Sequence, residues 1–259
     1  MTVAERAPLG ASVGVASLRS KPSALVVRAP GTNCDRETAL ALERAGAHAD
    51  RVHVEALLGA PRQIQRYSML ILPGGFSYGD HLGAGSLFAH RLAELRSELV
   101  TFADSGRPIL GICNGFQALL KLGLLSGGAL VQNASGRFEC RWVWVRNSTS
   151  VDHPFLGGSD LLAMPVAHGE GRFVADPDLD TTADRRVALV YCNADGRPTE
   201  YPGNPNGSDG GVAGLTSPSG HIFGLMPHPE RAHQAAQIPQ GRPLSGLAIF
   251  QSMVAYARR

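Results

Sequence analysis

A cysteine framed by glycines is the residue best placed for chemistry in this chain. Gly111-Ile112-Cys113-Asn114-Gly115 joins an apolar run, Pro108 to Ile112, to a run of helical spacing, Gly115 to Leu122. Small residues two before and two after the cysteine let the backbone turn sharply with the central side chain exposed, the geometry of a nucleophile elbow. Unpaired N–H groups at the start of the following helix, and its dipole, favour the thiolate, which is the reactive form. A cysteine nucleophile needs a base, and the base needs a group to orient it. Two His-x-Glu segments offer both, His168-Gly169-Glu170 and His228-Pro229-Glu230. The second is stronger, because it follows the apolar strand Ile222 to Met226 and is stiffened by Pro227 and Pro229. His168 reads better as a loop histidine bonded to backbone, or as part of the substrate side. Acyl transfer also needs backbone donors aimed at the developing oxyanion. Leu72-Pro73-Gly74-Gly75-Phe76, a strand running into two glycines, can supply them. A rival lies beside it: Gly75-Phe76-Ser77-Tyr78-Gly79 fits the G-x-S-x-G pattern of serine hydrolases. Asp80, His81 and Gly83 follow at once, where an elbow needs a helix to begin, so Ser77 is disfavoured as nucleophile.

The elements that must position these groups alternate in type, as in a mostly parallel sheet covered by helices. Strands are expected at Ala24 to Val27, Arg51 to Val54, Met69 to Leu72 and Pro108 to Ile112, and helices at Asp35 to Ala45, Ser86 to Asp104 and Gly115 to Leu122. From Val131 onward the pattern shifts to additional β-strands, Arg141 to Val145, Arg186 to Tyr191, Val212 to Leu215 and Ile222 to Met226, and a helix over Leu244 to Ala257 follows. The spacing predicts an α/β fold with one domain over residues 23–259 behind a flexible N-terminal extension, residues 1–22.

Composition narrows the function classes. The 259 residues carry 24 Lys and Arg against 22 Asp and Glu, a formal net charge of +2, with no basic run. That argues against a nucleic-acid or membrane-surface role. Cys34, Cys113, Cys140 and Cys192 are scattered, without a C-x-x-C pair or an H-E-x-x-H motif, so neither a metal site nor a disulfide framework is expected and reduced cytoplasmic thiols fit better. No apolar run approaches the roughly 20 residues that span a bilayer. A Walker A loop and a dinucleotide fingerprint are both missing, and the only lysines are Lys21 and Lys121. A nucleotide, if the reaction needs one, binds elsewhere.

Gly111 to Gln117, preceded by Pro73-Gly74-Gly75 and followed by His228-Pro229-Glu230, resembles the class I, triad-type glutamine amidotransferases, with a flavodoxin-like doubly wound sheet. Further segments resemble one branch of that family, the glutaminase subunits of phosphoribosylformylglycinamidine synthase: Pro30 to Asp35, Gly74 to Asp80, Arg137 to Val143, Ala167 to Phe173, Tyr201 to Ser208 and Gly224 to Arg231. The resemblance covers residue 23 to the C-terminus. It implies that Cys113 is the nucleophile, His228 the general base and acid, and Glu230 its orienting carboxylate. It also implies an oxyanion hole from Gly75, Phe76 and Asn114, and glutamine binding by Gln117 and, near the amino-acid end, by Arg137 and Phe138. The implied reaction is hydrolysis of L-glutamine to glutamate and ammonia through a cysteine thioester. The chain itself then needs no cofactor; ATP and magnesium belong to a larger synthetase subunit that converts formylglycinamide ribonucleotide to the amidine, and a further partner is a small bridging subunit. Pro30 to Asp35, His168 to Phe173 and Tyr201 to Ser208 become candidates for the docking surface. Two alternatives stay open, an interaction subunit of the same fold without catalysis and a thiol hydrolase of similar fold.

Overall fold

The strand β1 (Ser23–Arg28) is apolar and buried along most of its length, as a strand covered on both faces must be. The structure is a computed structural model describing residues 21–149, 153–158 and 160–259; the expected extension therefore lies, up to residue 20, outside the described residues. After β1 come α1 (Asp35–Arg44), β2 (His48–His53), α2 (Val54–Gly59), β3 (Met69–Leu72), α3 (Ser86–Leu92), α4 (Arg96–Asp104), β4 (Ile109–Ile112) and α5 (Asn114–Lys121). The second half adds β5 (Gly128–Gln132), β6 (Glu139–Asn147), β7 (Leu161–His168), β8 (Glu170–Ala175), β9 (Val187–Cys192), β10 (Val212–Thr216), β11 (Ile222–Leu225) and α6 (Gly246–Tyr256).

One nine-stranded sheet runs in the order β2-β1-β3-β4-β11-β10-β9-β6-β7. Its first five strands pair in parallel and carry the doubly wound pattern, with order reversing on either side of β1 and β3. From β11 to β7 every pairing is antiparallel. These are the extra strands anticipated in the second half; β5 and β8 form a separate antiparallel ribbon. Helix α1 packs with α6, and α3 with α5. A right-handed crossover leftward from β1 through α1 and one rightward from β3 through α3 place these two helices, with the partners packed on them, on opposite faces.

Three sequence expectations change. The single helix over Ser86 to Asp104 is two helices joined by a 3-10 turn, Ala93–Leu95. The strand ending at Val54 stops one residue earlier, because His53 caps α2 by accepting the Glu55 N–H on its ring nitrogen. His168 ends strand β7 rather than lying in a loop. Among the described residues no helix is long and apolar enough to cross a membrane.

Candidate active site

Cys113 sits between β4 and α5 with φ 49° and ψ −102°, a conformation non-glycine residues rarely adopt. The flanking glycines make it attainable. A Cβ on Gly115 would lie 1.9 Å from the Leu72 carbonyl oxygen, and one on Gly111 would meet Leu119 at 2.5 Å and Gly115 at 2.9 Å. The helix can therefore start directly against β3 and β4 only with both side chains missing. The Cys113 N–H donates to Leu225 O at 2.8 Å, so the elbow is pinned to the end of β11.

That strand delivers the base. Two prolines hold the residues before them out of helical geometry, and His228 is extended with φ −107° and ψ 88°. Its N–H donates to Pro165 O of β7 at 2.8 Å. Pro229 then opens a 3-10 turn, Pro229–Arg231, that brings Glu230 back onto the ring: Nδ1–H donates to Oε1 at 2.6 Å. An ionised carboxylate only accepts, so Nδ1 carries the proton and Nε2 is the side left for chemistry. Burial is nearly complete, with Glu230 0%, His228 2% and Cys113 5% exposed. Burial disfavours an imidazolium, but the Glu230 carboxylate and the Cys113 sulfur reverse this, and the net effect holds the His228 pKa well above its ordinary value. Nε2 has no hydrogen-bond partner among the described residues, and the Cys113 thiol instead lies 3.8 Å from Ala167 O. Nucleophile and base thus couple through charge before any hydrogen bond forms between them.

A cavity of about 120 Å³ opens on the sulfur, lined by Gly75, Phe76, Asp80, Ala84, Cys113, Gln117, Phe138 and Ala167 to Glu170. It suits one small side chain, being well below the roughly 300 Å³ of a drug-sized pocket. A larger recess, about 800 Å³, lies by Arg185, Arg186 and Thr216 and has no thiol among its described lining residues; the His153 ring there shares a 3.1 Å hydrogen bond with Thr216 Oγ1 rather than with a carboxylate. Gln117 bridges the site: Nε2 donates to Glu170 O at 2.6 Å, while Oε1 accepts from Asn114 Nδ2 at 3.0 Å. Phe138 packs against Phe76 with ring centroids 6.3 Å apart. Arg137 is exposed and is not among the lining residues. Its carbonyl accepts from Asn133 Nδ2 at 2.9 Å and so shapes the turn leading to Phe138.

Of the three expected oxyanion donors, Phe76 requires correction. Its N–H donates to Gly31 O at 3.1 Å, because the Pro30 to Asn33 turn folds over the paired glycines through a Thr32–Gly75 bridge. The amides of Gly75 and of Asn114, at the first turn of α5, have no such bond among the described residues. Ser77 is buried, shares a 3.0 Å hydrogen bond with Thr32 Oγ1 and is followed by a left-handed Tyr78 rather than a helix, so it is no nucleophile.

His168 and Glu170 do not pair. The ring Nδ1–H donates to Asn133 Oδ1 at 3.1 Å, which also accepts from Gly171 N–H, while Glu170 Oε2 accepts the Ala84 N–H at 3.1 Å. Burial, aided by the charge on His228, pushes the His168 pKa down to about 3, so it is a neutral wall of the cavity. The Tyr201 to Ser208 segment, expected at a partner surface, is largely an internal strut: Asn206 Nδ2 donates to Gly171 O at 2.7 Å and Ser208 Oγ accepts from Phe173 N–H at 2.9 Å. Asn133 and Asp80 carry no motif signal for a role in the site, because each acts through contacts with distant elements. Asp80 Oδ1 accepts from Asn114 Nδ2 at 3.0 Å and from Gly85 N–H at 3.3 Å, and burial raises its pKa.

The chain that carries this site has counterparts among known proteins. Residues 21–257 match the CobB/CobQ-like glutamine amidotransferase domain family. The phosphoribosylformylglycinamidine synthase subunit PurQ of Dehalococcoides mccartyi is 41% identical over 255 residues, covering 93% of this chain and 99% of that protein. The chain belongs to the PurQ branch of this family. The PurQ subunit of Thermotoga maritima is 40% identical over 242 residues, covering 92% of this chain and all of that one. A chain in the solved structure of PurLQS from Thermotoga maritima superposes with a TM-score of 0.74 at 40% identity, over 91% of this chain and 99% of that chain. A glutamine amidotransferase from Thermotoga maritima, 19% identical with a TM-score of 0.51 over 81% of this chain and 76% of that one, shares the fold. The family match at residues 21–257 thus spans the described elements from β1 to α6.

Proposed function

We propose that this chain is the glutaminase subunit of a phosphoribosylformylglycinamidine synthase, and that Cys113, His228 and Glu230 are its catalytic triad. The observation that carries the assignment is the buried 2.6 Å His228–Glu230 pair beside a cysteine in a strained elbow. Glutamine enters the cavity with its side-chain amide over Sγ. The thiolate attacks the amide carbon, and the N–H groups of Gly75 and Asn114 receive the oxyanion. The His228 imidazolium gives its Nε2 proton to the nitrogen as the C–N bond breaks, and ammonia leaves. Water, deprotonated by the same nitrogen, hydrolyses the thioester and releases glutamate and the thiol. Gln117 and Phe138 form the glutamine-binding wall, and the Arg137 carbonyl shapes the turn that presents Phe138.

Ammonia set free in neutral water is protonated and loses its nucleophilicity, so a second active site must receive it directly. The similarity to a chain of the PurLQS assembly supports two partners, a larger synthetase chain and a small bridging chain. ATP and magnesium act on that synthetase, and the setting is the cytoplasm. The test is glutamate release from glutamine by the chain alone and with the synthetase. Cys113→Ala abolishes release in both; release that survives this substitution refutes the triad.

A further inference from the structure

The Pro30-Gly31-Thr32-Asn33-Cys34-Asp35 segment, expected to face a partner, turns its cysteine inward. Cys34 stands at the start of α1, 1% exposed. Its Sγ accepts from Arg231 Nη2 at 3.1 Å and lies 3.2 Å from Asn33 Oδ1. The Cys34 sulfur, a ring nitrogen of His228 and a carboxylate oxygen of Glu230 all lie within 4.8 Å of one another. Gly74 permits this, since a Cβ there would be 3.4 Å from Sγ and 2.8 Å from His228 Cε1. On the outer side Arg231 Nε donates to Glu37 Oε2 at 3.0 Å, so α1 carries both the sulfur and the acid that anchors the guanidinium.

Among the described residues, the charged and titratable groups around His228 come from four elements. Glu230 and Arg231 come from its own turn, Cys113 from the elbow, Cys34 from α1 and His168 from β7. The polarizable sulfur lies 3.1 Å from Arg231 Nη2 and within 4.8 Å of a His228 ring nitrogen, so it stands beside two groups that are both cationic once His228 is protonated. We propose that Cys34 is a positioning residue for His228: its sulfur backs the imidazole and separates it from Arg231, which Glu37 holds in place. Cys34 does not line the glutamine cavity and takes no part in bond making. The proposal rests on the triad reading above, which the Cys113→Ala assay tests separately.

The readout is iodoacetamide alkylation of Cys113, followed peptide by peptide, as the ratio of rates at about pH 7 and about pH 10, where the free thiol ionises. An imidazolium destabilised by loss of the sulfur holds less thiolate at neutral pH. Cys34→Ala is expected to lower the ratio about tenfold, equivalent to one pKa unit, and to lower kcat by a similar factor with KM unchanged. Cys34→Ser, which keeps an acceptor, restores the ratio to within about threefold of the wild type. Glu37→Gln, at a partly exposed side chain, frees Arg231 and lowers the ratio about threefold whether or not Cys34→Ala folds. A ratio unchanged in Glu37→Gln and in any folded Cys34→Ala protein overturns the proposal, as does a Ser variant that loses as much as the Ala variant.

Discussion

The tightest approach in the site leads to a prediction about Gly74→Ala. The added methyl would sit 2.8 Å from His228 Cε1, where ordinary contact begins at 3.4 Å, so the ring must retreat by about 0.6 Å. It has no slack, because Nδ1 is tied to Glu230 at 2.6 Å and the backbone N–H to Pro165 at 2.8 Å. A misplacement of about 1 Å costs on the order of 100-fold in rate, so a smaller one should lower kcat by about 10- to 100-fold, roughly 1.4–2.7 kcal/mol of transition-state stabilisation. KM should hardly move, since Gly74 is not among the cavity-lining residues. Gly74 is not in the left-handed region, so the alanine backbone is unstrained; entropy lost from the unfolded chain, about 0.4–1 kcal/mol, offsets part of an overpacking cost of about 1–3 kcal/mol. The assay is steady-state glutamate release, with thermal melting in parallel and Gly59→Ala, whose Cβ meets nothing within 4 Å, as control. A kcat within twofold of the wild type would refute the claim that this contact fixes the base.

Other outcomes follow from the same geometry. Glu230→Gln removes the carboxylate that opposes the effect of burial on His228, so the imidazolium should lose its proton at lower pH and kcat/KM should fall by about 10² to 10⁴, read from a pH–rate profile. Ser77→Ala should leave glutamine hydrolysis within a few-fold and cost about 1 kcal/mol, the worth of its bond to Thr32, in a denaturant titration. The folded pKa of His168 lies far below its unfolded value, so the stability it contributes is complete above about pH 6.5 and declines as pH falls toward 3, by up to about 1.4 kcal/mol per unit. His168→Gln should flatten that part of the stability–pH curve; an unchanged slope would show that the ring titrates freely.

The catalytic elbow was legible because its signals are local: strand, glycine, cysteine, glycine and helix follow one another within a few residues. The His228 segment was legible for the same reason. The helix break at Ala93–Leu95 was not, since Phe88, Leu92, Leu95, Leu99 and Phe102 keep one apolar spacing straight through it. Strand β7 contains Pro165, which argues against a strand unless it lies at an edge; β7 is the last strand of the sheet, and the Pro165 carbonyl is spent on His228. The short β5–β8 ribbon declares itself only through the partner each strand finds. Phe76 misled because donor availability depends on Gly31, a residue 45 positions earlier.

The place of β11 in the sheet bears on how the protein comes into being. It inserts between β4 and β10, yet it is made more than a hundred residues after β4. Until Ile222–Leu225 emerges, the strand that carries Cys113 has an open edge, and the histidine three residues beyond β11 does not yet exist. Nascent chains therefore hold a thiol without its base, and ammonia release begins only when the sheet closes. The same delay leaves an apolar strand edge uncovered through the middle of synthesis, so a chain truncated before residue 222 should aggregate rather than hydrolyse glutamine.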